Sequence, residues 1–273
     1  MNNRWFKFKN IKIARYGEYV LTGVSNLETG TAERRKINYI DTDGSSYDDI
    51  WYNERPFEIS GMIYALDEKT MVRLKRKLIQ ACSLKESFRL KYFNREKTYS
   101  AECYFDKLPT FEKRQEWYLP FKLYLTIPGF YWQSEYESKL SLFEYEDNVT
   151  DTFTLPCVFT DVKNQMRILN SGDVETYPTF IVKHENDVED GRIIVINETS
   201  GKTITLNYKT SSGETITIDT SQQTAMSNIN GNITGNVDIN TDFFCLLKGI
   251  NDIKCISPGN TVAIRFYKNY LGV

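Results

Sequence analysis

The chain has 273 residues, of which 41% are hydrophobic and 26% are charged, and these ordinary globular proportions exclude a wholly disordered protein. Its formal net charge of −2 excludes the basic coat of a typical nucleic-acid-binding protein. The sequence contains a single histidine, His184, so Ser-His-Asp or Cys-His catalysis would have to pass through that residue. A zinc site with several imidazole ligands is impossible within one chain.

Charge and composition divide the chain into two halves. Residues 1–132 carry 23 basic and 17 acidic side chains, whereas residues 133–273 carry 11 basic and 19 acidic ones. The first half is rich in Lys, Arg, Tyr and Phe, and the second half in Thr, Asn, Ile and Gly. We therefore predict an N-terminal domain over residues 1–133 and a C-terminal domain over residues 134–273.

The first half alternates apolar and polar residues in the manner of half-buried strands around one helix. The helix is predicted over residues 67–82, with Asp67 as its N-cap and apolar residues recurring at three- and four-residue steps. We interpret its basic outer face as a solvated surface rather than a nucleic-acid contact. Strands are predicted over residues 5–13, 55–63, 88–93, 99–105 and 117–127.

The second half contains short apolar runs separated by turn residues, with no helical pattern between them. This regular spacing is typical of an antiparallel sandwich or jelly roll. The fold class predicted for the whole chain is therefore all-β with one α-helix. Strands of the second half are predicted over residues 166–169, 179–183, 192–196, 203–208, 215–219, 243–247, 253–257 and 261–267.

The cysteines and the start of the chain predict a reducing compartment. The five cysteines are odd in number and form no CxxC pair, which favours buried thiols. The ten-residue spacing of Cys245 and Cys255 leaves a single disulfide open as the alternative. Residues 1–10 lack the apolar core of a signal peptide, and no apolar run approaches the roughly 20 residues of a membrane span. We therefore expect synthesis in a cytoplasm and no membrane attachment.

The polar motifs do not make a convincing active site or metal site. The acidic loop 41–49 suggests calcium, but EF-hand spacing would place Tyr39 at the first ligand position, so a solvated loop is favoured. His184 ends a predicted strand with no assignable nucleophile, which favours a surface imidazole. The acidic loop at Asp187, Glu189 and Asp190 leaves a carboxylate-pair glycosidase as a minor alternative. No catalytic, cofactor-binding or metal-ligating residue is predicted.

A set of motifs in fixed order resembles one known family. Residues 170–178 have the form N-x-G-x-x-x-T-x-P, and Asp43-Gly44 and Ile127-Pro128-Gly129-Phe130-Tyr131 are further elements. Over nearly the whole chain the sequence resembles the distal tail protein (Dit) family of long-tailed phages. Two turn positions depart from the family pattern, Lys248 in place of a proline and Ile127 in place of an acid. The remaining matching segments are residues 59–63, 119–121, 196–204, 216–220 and 244–253.

The resemblance implies a structural hub of a phage or prophage tail tip, without catalysis or cofactor. The family's N-terminal domain is a β-sandwich or barrel-like structure that forms a homo-hexameric ring at the distal end of the tail tube, and DNA passes through it in transit. Its C-terminal domain is a galectin-like jelly-roll sandwich that docks host-adhesion components. The implied partners are the tail-tube protein, the tape-measure protein, a tail-associated hub or lysin protein, and receptor-binding or baseplate proteins. The implied location is the virion tail tip, after synthesis in the bacterial host cytoplasm.

A head-to-tail ring needs two different surface patches on each protomer. We predict that residues 34–52 supply one of them, because mixtures of arginine and aromatic residues are enriched in interface cores. The alternative is a hairpin whose aromatic side chains fold back on their own domain. The predicted ring-interface residues are Arg34, Arg35, Tyr39, Tyr47, Trp51 and Tyr52.

The alternative function is a carbohydrate-binding protein that recognises host cell-wall glycan through the galectin-like domain. Aromatic side chains on the concave face of the second-half sandwich would then stack on sugar rings. The available aromatic residues are Tyr177, Tyr208 and Phe244. Packing in the domain core explains these three residues equally well.

Overall fold

The computed structural model describes residues 4–27, 30–38, 45–135, 137–141, 165–184, 191–257 and 260–273. The chain divides into two compact units, Met1–Glu135 together with Tyr270–Val273, and Tyr136–Asn269. The sequence placed the last four residues in the second domain, whereas in the structure they lie with the first unit. The reason is packing, since the Tyr270 and Tyr99 ring centroids are 5.2 Å apart and Val273 also contacts the first core.

The first unit is built from strands and one helix, α1 (Glu68–Ala81). Its strands are β1 (Arg4–Phe8), β2 (Ile11–Ala14), β3 (Tyr19–Ser25), β4 (Ala32–Asn38), β5 (Ser45–Tyr52), β6 (Arg55–Tyr64), β7 (Phe88–Asn94), β8 (Lys97–Phe111), β9 (Tyr118–Ile127) and β10 (Trp132–Ser134), together with β21 (Asn269–Tyr270) near the end of the chain.

A seven-stranded closed barrel forms the body of the first unit. The strands follow the order β8-β7-β1-β2-β3-β6-β9, and β9 pairs back onto β8. Strand β8 makes the closure possible, because its first half pairs with β7 and its second half with β9. Register shifts near Lys107 mark the change of partner and give the bend that closing a sheet requires. The predicted barrel-like N-terminal domain is confirmed.

The first strand of the sequence analysis, residues 5–13, is a hairpin of β1 and β2 in the structure. Lys9 adopts a φ of 45° at the turn between them. Phe6 and Phe8 are buried at even positions, and Ile11 and Ile13 are buried at odd positions. In a continuous strand the buried residues would be either all even-numbered or all odd-numbered. The change from even to odd between residues 8 and 11 therefore marks the turn.

The predicted helix is confirmed as α1, with Asp67 as its N-cap. The Asp67 carboxylate accepts a hydrogen bond from the backbone N–H of Thr70 at 2.8 Å and so satisfies one of the free donors of the first turn. Met71, Leu74 and Leu78 form the buried stripe that packs on the barrel. The Tyr19 hydroxyl donates to the Leu74 carbonyl at 3.0 Å, which links the middle of the helix to β3.

The second unit is an antiparallel two-sheet sandwich, as the sequence predicts. Its strands are β11 (Ser138–Ser141), β12 (Gln165–Asn170), β13 (Thr179–His184), β14 (Arg192–Asn197), β15 (Lys202–Asn207), β16 (Thr215–Asp219), β17 (Thr224–Ser227), β18 (Gly231–Asn232), β19 (Gly249–Ile256) and β20 (Asn260–Phe266), with a short 3₁₀ turn at Thr234–Asn236. One sheet has the order β11-β20-β13-β16-β17-β18 and the other the order β12-β19-β14-β15. Inward-facing side chains of both sheets form one core.

One predicted strand of this unit, residues 243–247, is wrong. The segment makes only an isolated bridge between Leu246 and Thr176. Phe244 and Leu246 are nevertheless buried, so the segment contributes core side chains without joining a sheet. Alternating burial in an irregular segment mimics the strand period, which is why the sequence pattern was misleading.

We predict that Gly61→Ala destabilises the barrel by about 1–3 kcal/mol, as overpacking does in a close-packed core. A Cβ at Gly61 would lie 2.5 Å from Phe121 Cζ and 2.9 Å from the Val20 carbonyl oxygen. Gly23→Ala is the matched control on the neighbouring strand, because the nearest atom there is Ser60 Cβ at 3.9 Å. Urea unfolding of both variants measures the difference, and equal stability of the two would contradict the packing argument.

Candidate functional site

Strands β4 and β5, residues 32–38 and 45–52, form a hairpin that is its own two-stranded sheet outside the barrel. The side chains of residues 32–35 are all exposed, although successive residues of a strand point to opposite faces. Trp51 is 49% exposed at the end of β5. None of the ribbon side chains whose exposure is described, those of residues 32–35, Trp51 and Tyr52, is buried. An isolated two-stranded ribbon is marginally stable in water, so this hairpin has the properties of a segment that a partner covers.

The structure brings several of the predicted interface residues together. Glu33 pairs with Trp51 and Arg34 with Ile50 across the ribbon, so the basic end of β4 lies beside the aromatic end of β5. Arg34 and Arg35 are exposed. Tyr39 lies outside the described residues, as do the loop residues 41–44, and the side chain of Tyr47 is not described.

Tyr52 has a different role from the other predicted interface residues, because it joins the hairpin to the barrel. Its ring stacks on Phe130 with 4.5 Å between the centroids. The Arg55 guanidinium lies 4.4 Å from the centre of the same Phe130 ring, and only 1% of Arg55 is exposed. Burial lowers the pKa of Arg55 below its usual value. The Tyr52 ring therefore packs on its own domain through one face while 43% of the residue stays exposed.

The sequence analysis missed a second exposed apolar surface on the first unit, which we call the Trp117 patch and define by Tyr64, Leu66 and Trp117. The end of β6 runs beside the start of β9, with Tyr64 paired to Tyr118 and the Ala65 N–H donating to the Trp117 carbonyl at 3.0 Å. Leu66 is 70% exposed, and Tyr64 and Trp117 are about half exposed. The only sequence signal was an aromatic residue at the end of one strand, Tyr64 in β6, and another just before the next, Trp117 before β9.

The three aromatic residues of the carbohydrate hypothesis do not form one platform. Phe244 is buried in the core of the second unit, where its ring packs edge-on against Phe180 with 5.8 Å between centroids. It is therefore unavailable to a sugar. Tyr177 is half exposed, and Tyr208 donates its hydroxyl to the Glu214 carboxylate at 2.7 Å.

Glu214 is the centre of a buried polar cluster in the second unit. Its carboxylate accepts hydrogen bonds from the Ser211 N–H at 2.8 Å, from Tyr208, and from the Ser227 and Asn230 side chains. Burial by itself raises the pKa of Glu214, but the hydrogen bonds from Ser227, Tyr208 and Ser211 together hold it below its usual value. The cluster ties the loop after β15 to the loop after β17.

The other polar candidates show no assembled chemistry. His184 contacts the Thr210 hydroxyl at 2.7 Å through Nδ1, and Thr210 donates to Asn260 at 3.0 Å, so the imidazole joins a loop network. Residues 185–190, with the proposed acid pair, lie outside the described residues. Within the part of the chain that the structure describes, no cluster of three His, Cys, Asp or Glu side chains could hold a metal ion.

The described cysteines are all free, so Cys245 and Cys255 do not form the disulfide that the sequence left open. Cys255 faces the core of the second unit, and burial raises its pKa to about 12. Cys82 and Cys103 are likewise buried thiols of the first unit. Among the described residues, no helix is long and apolar enough to cross a membrane.

We predict that Glu214→Gln lowers the free energy of unfolding of the second unit by about 1–3 kcal/mol at pH 7, because the hydrogen-bond donors lose an acceptor. A carboxyl group whose folded pKa is depressed stabilises the fold above its unfolded pKa of about 4.3 and loses that effect as the pH falls through the folded pKa. The difference between wild type and variant should therefore shrink below about pH 4.

The measurement is urea unfolding at several pH values, followed by hydrogen exchange in β13 and β16. Glu175→Gln, at an exposed glutamate of the same unit, is the matched control and should leave stability unchanged. A stability difference that stays constant from pH 7 to pH 3 would contradict the assignment of the effect to the Glu214 carboxylate.

Comparison with known proteins finds a family match within the second unit and a fold match over nearly the whole chain. Residues 171–270 match the family model of the siphovirus-type tail component, C-terminal domain. The fold of the whole chain is similar to Dit (gp 19.1) of phage SPP1, described as a paradigm of the hub adsorption apparatus in phages that infect Gram-positive bacteria. The TM-score is 0.74 at 11% identity, over 98% of this chain and 99% of that one.

Two structures of the phage P2 baseplate in its activated conformation, with Ca and with Sr, contain further similar chains. Their TM-scores are 0.56 and 0.55 at 10% identity, each over 99% of both chains. No curated protein matches the sequence. The resemblance to the distal tail proteins is therefore confirmed: residues 171–270 carry the siphovirus-type tail component domain, and the chain over nearly its whole length has the fold of Dit.

Proposed function

We propose that this protein is a structural hub of a siphovirus-like tail tip and assembles with baseplate components. The observation that carries this proposal is the match of residues 171–270 to the tail component family, within a chain whose full length has the fold of Dit. The barrel supplies the assembly unit and the sandwich supplies a docking surface. The partners are a tail-tube protein, a tape-measure protein, a tail-associated hub protein and host-adhesion proteins.

The assembly that the barrels form is a head-to-tail ring of identical protomers. Such a ring joins two different surfaces of the same chain and closes on itself. The hairpin supplies one surface, because its described β4 side chains are exposed on both faces of the ribbon. The Trp117 patch supplies the other, since it offers exposed aromatic and aliphatic side chains on the same unit. Aromatic residues of this kind carry much of the binding energy at protein interfaces.

We expect the purified protein to form rings of six protomers with a central hole at high concentration. Light scattering on a sizing column measures the mass, and negative-stain images of the same peak show the shape. Addition of tail tube is the second condition if the protein alone is monomeric. A monomer under both conditions would contradict the ring.

Substitution on either surface should abolish the ring without unfolding the protomer. The two variants are Arg34→Glu/Arg35→Glu/Trp51→Ala on the hairpin and Leu66→Ser/Trp117→Ala on the patch. Each should raise the concentration needed for assembly at least about 30-fold, corresponding to the 2 kcal/mol of an interface hot spot. Ile239→Ser is the matched control, because it removes a 96% exposed apolar side chain from the second unit.

Mixing the two interface variants tests the head-to-tail geometry directly. One variant keeps a working patch and the other a working hairpin, so an equal mixture should form dimers and stop there. Rings formed by either variant alone would show that its surface is not part of the interface.

A glycan array tests the alternative function, in which the second unit binds cell-wall glycan. The array compares the wild-type protein with the Tyr177→Ala and Tyr208→Ala variants. Glycan binding would be a property of the second unit in addition to its role in assembly.

A further inference from the structure

The chain enters and leaves the hairpin at one point of the barrel, where Arg55 is buried. On the entry side, Arg55 Nη1 donates to the Leu27 carbonyl at 3.4 Å. Gly30 follows three residues later and packs so closely on Phe130 that a Cβ there would collide with the ring. On the exit side, Tyr52 stacks on the same Phe130 ring, and the Asn53 N–H donates to the Thr31 carbonyl at 3.0 Å.

The last residues of the chain complete this arrangement. Arg55 Nη2 donates to the Leu271 carbonyl at 2.7 Å, across 216 residues of sequence. Tyr270 packs edge-to-face on Tyr99, which holds the tail segment Tyr270–Val273 against the first unit. One guanidinium group therefore connects the hairpin entry, the Phe130 ring and the tail segment.

Burial of the Arg55 guanidinium costs free energy, which argues that the arrangement has a function. A buried guanidinium loses its hydration and is stabilised only by the hydrogen bonds and ring contacts that it makes. The Arg55 Nε atom is buried and has no hydrogen-bond partner among the described residues. Unsatisfied buried donors are uncommon and call for an explanation. An apolar side chain would fill the same space at lower cost, but it could not hold two distant backbone carbonyls at once.

We propose that Arg55, held by the tail segment, is a positioning residue that fixes the base of the hairpin and so presents the hairpin for assembly. The tail segment acts as a lock, because the hydrogen bond from Arg55 to Leu271 depends on it. Release of the tail segment loosens the hairpin base without opening the barrel, because the seven barrel strands pair independently of residues 270–273. The link to assembly rests on the proposed ring, whereas the effect of the tail on the hairpin does not.

The experiment measures hydrogen exchange by mass spectrometry on the purified full-length protein and two variants. The variants are Arg55→Met, which keeps the volume but loses the donors, and deletion of Tyr270–Val273, which removes the acceptor. Peptides from residues 31–38 and 45–53 should exchange at least about tenfold faster in both variants, while peptides from residues 119–127 stay unchanged. Tyr270→Ala weakens the attachment of the tail segment by removing the contact with Tyr99, but it keeps the Leu271 carbonyl, so its effect should be smaller than that of the deletion.

A double variant tests whether the two changes act through one bond. Because Arg55 and the tail share that hydrogen bond, the double variant should exchange no faster in the hairpin than the faster single variant. Additive effects of the two changes on hairpin exchange would overturn the proposal that the tail segment acts through this hydrogen bond. If Arg55→Met fails to fold, the tail deletion alone decides, and unchanged hairpin exchange in that variant overturns the proposal.

Ring assembly of the same variants separates the two proposals. Faster hairpin exchange together with loss of rings supports the positioning role as stated. Faster hairpin exchange with rings intact overturns the link to assembly. If the wild-type protein forms no ring under any condition, the proposed function fails. The hydrogen-exchange result still decides whether the tail segment fixes the hairpin base.

Discussion

The structure of the first unit depends on the two-sided pairing of β8. Its first half hydrogen-bonds to β7 and its second half to β9, and this single strand turns an open sheet into a barrel. Closure pairs β9 with the second half of β8, so β9 has no free edge. Within the barrel β3 pairs directly with β6, so β4 and β5, which lie between them in the sequence, form a separate ribbon. The position of the hairpin outside the barrel is thus a consequence of the pairing of β3 with β6.

The pairing of β3 with β6 also explains why the hairpin is attached to the barrel through side chains instead of strand pairing. A ribbon excluded from the sheet needs another attachment, and the structure supplies the Tyr52–Phe130 stack and the Arg55 hydrogen bonds. Phe130 belongs to the Pro-Gly-Phe-Tyr turn after β9, one of the segments that resembled the distal tail proteins. That motif has a physical role here, because it carries the ring on which both Tyr52 and Arg55 pack.

Much of the fold could be predicted where the signal is local. The helix 67–82 was predictable because its cap and its apolar stripe lie within sixteen residues of sequence. The parity change at Lys9 was present in the sequence but is easily overlooked in a run of alternating residues. The candidate site was predicted only in part. Arg34, Arg35 and Trp51 were proposed from composition and stay a prediction, whereas Arg55 and the Trp117 patch depend on partners far away in the chain.

The sequence by itself determined the secondary-structure class, the approximate division into two units and the family resemblance, because alternation, caps and turn residues act over a few neighbours. Tertiary structure alone decided which aromatic residues are available. Phe244 is buried and Trp117 exposed, although both are aromatic residues flanked by polar and apolar neighbours. Only the tertiary structure placed residues 270–273 beside Arg55, because that contact joins segments 216 residues apart and no local pattern encodes it.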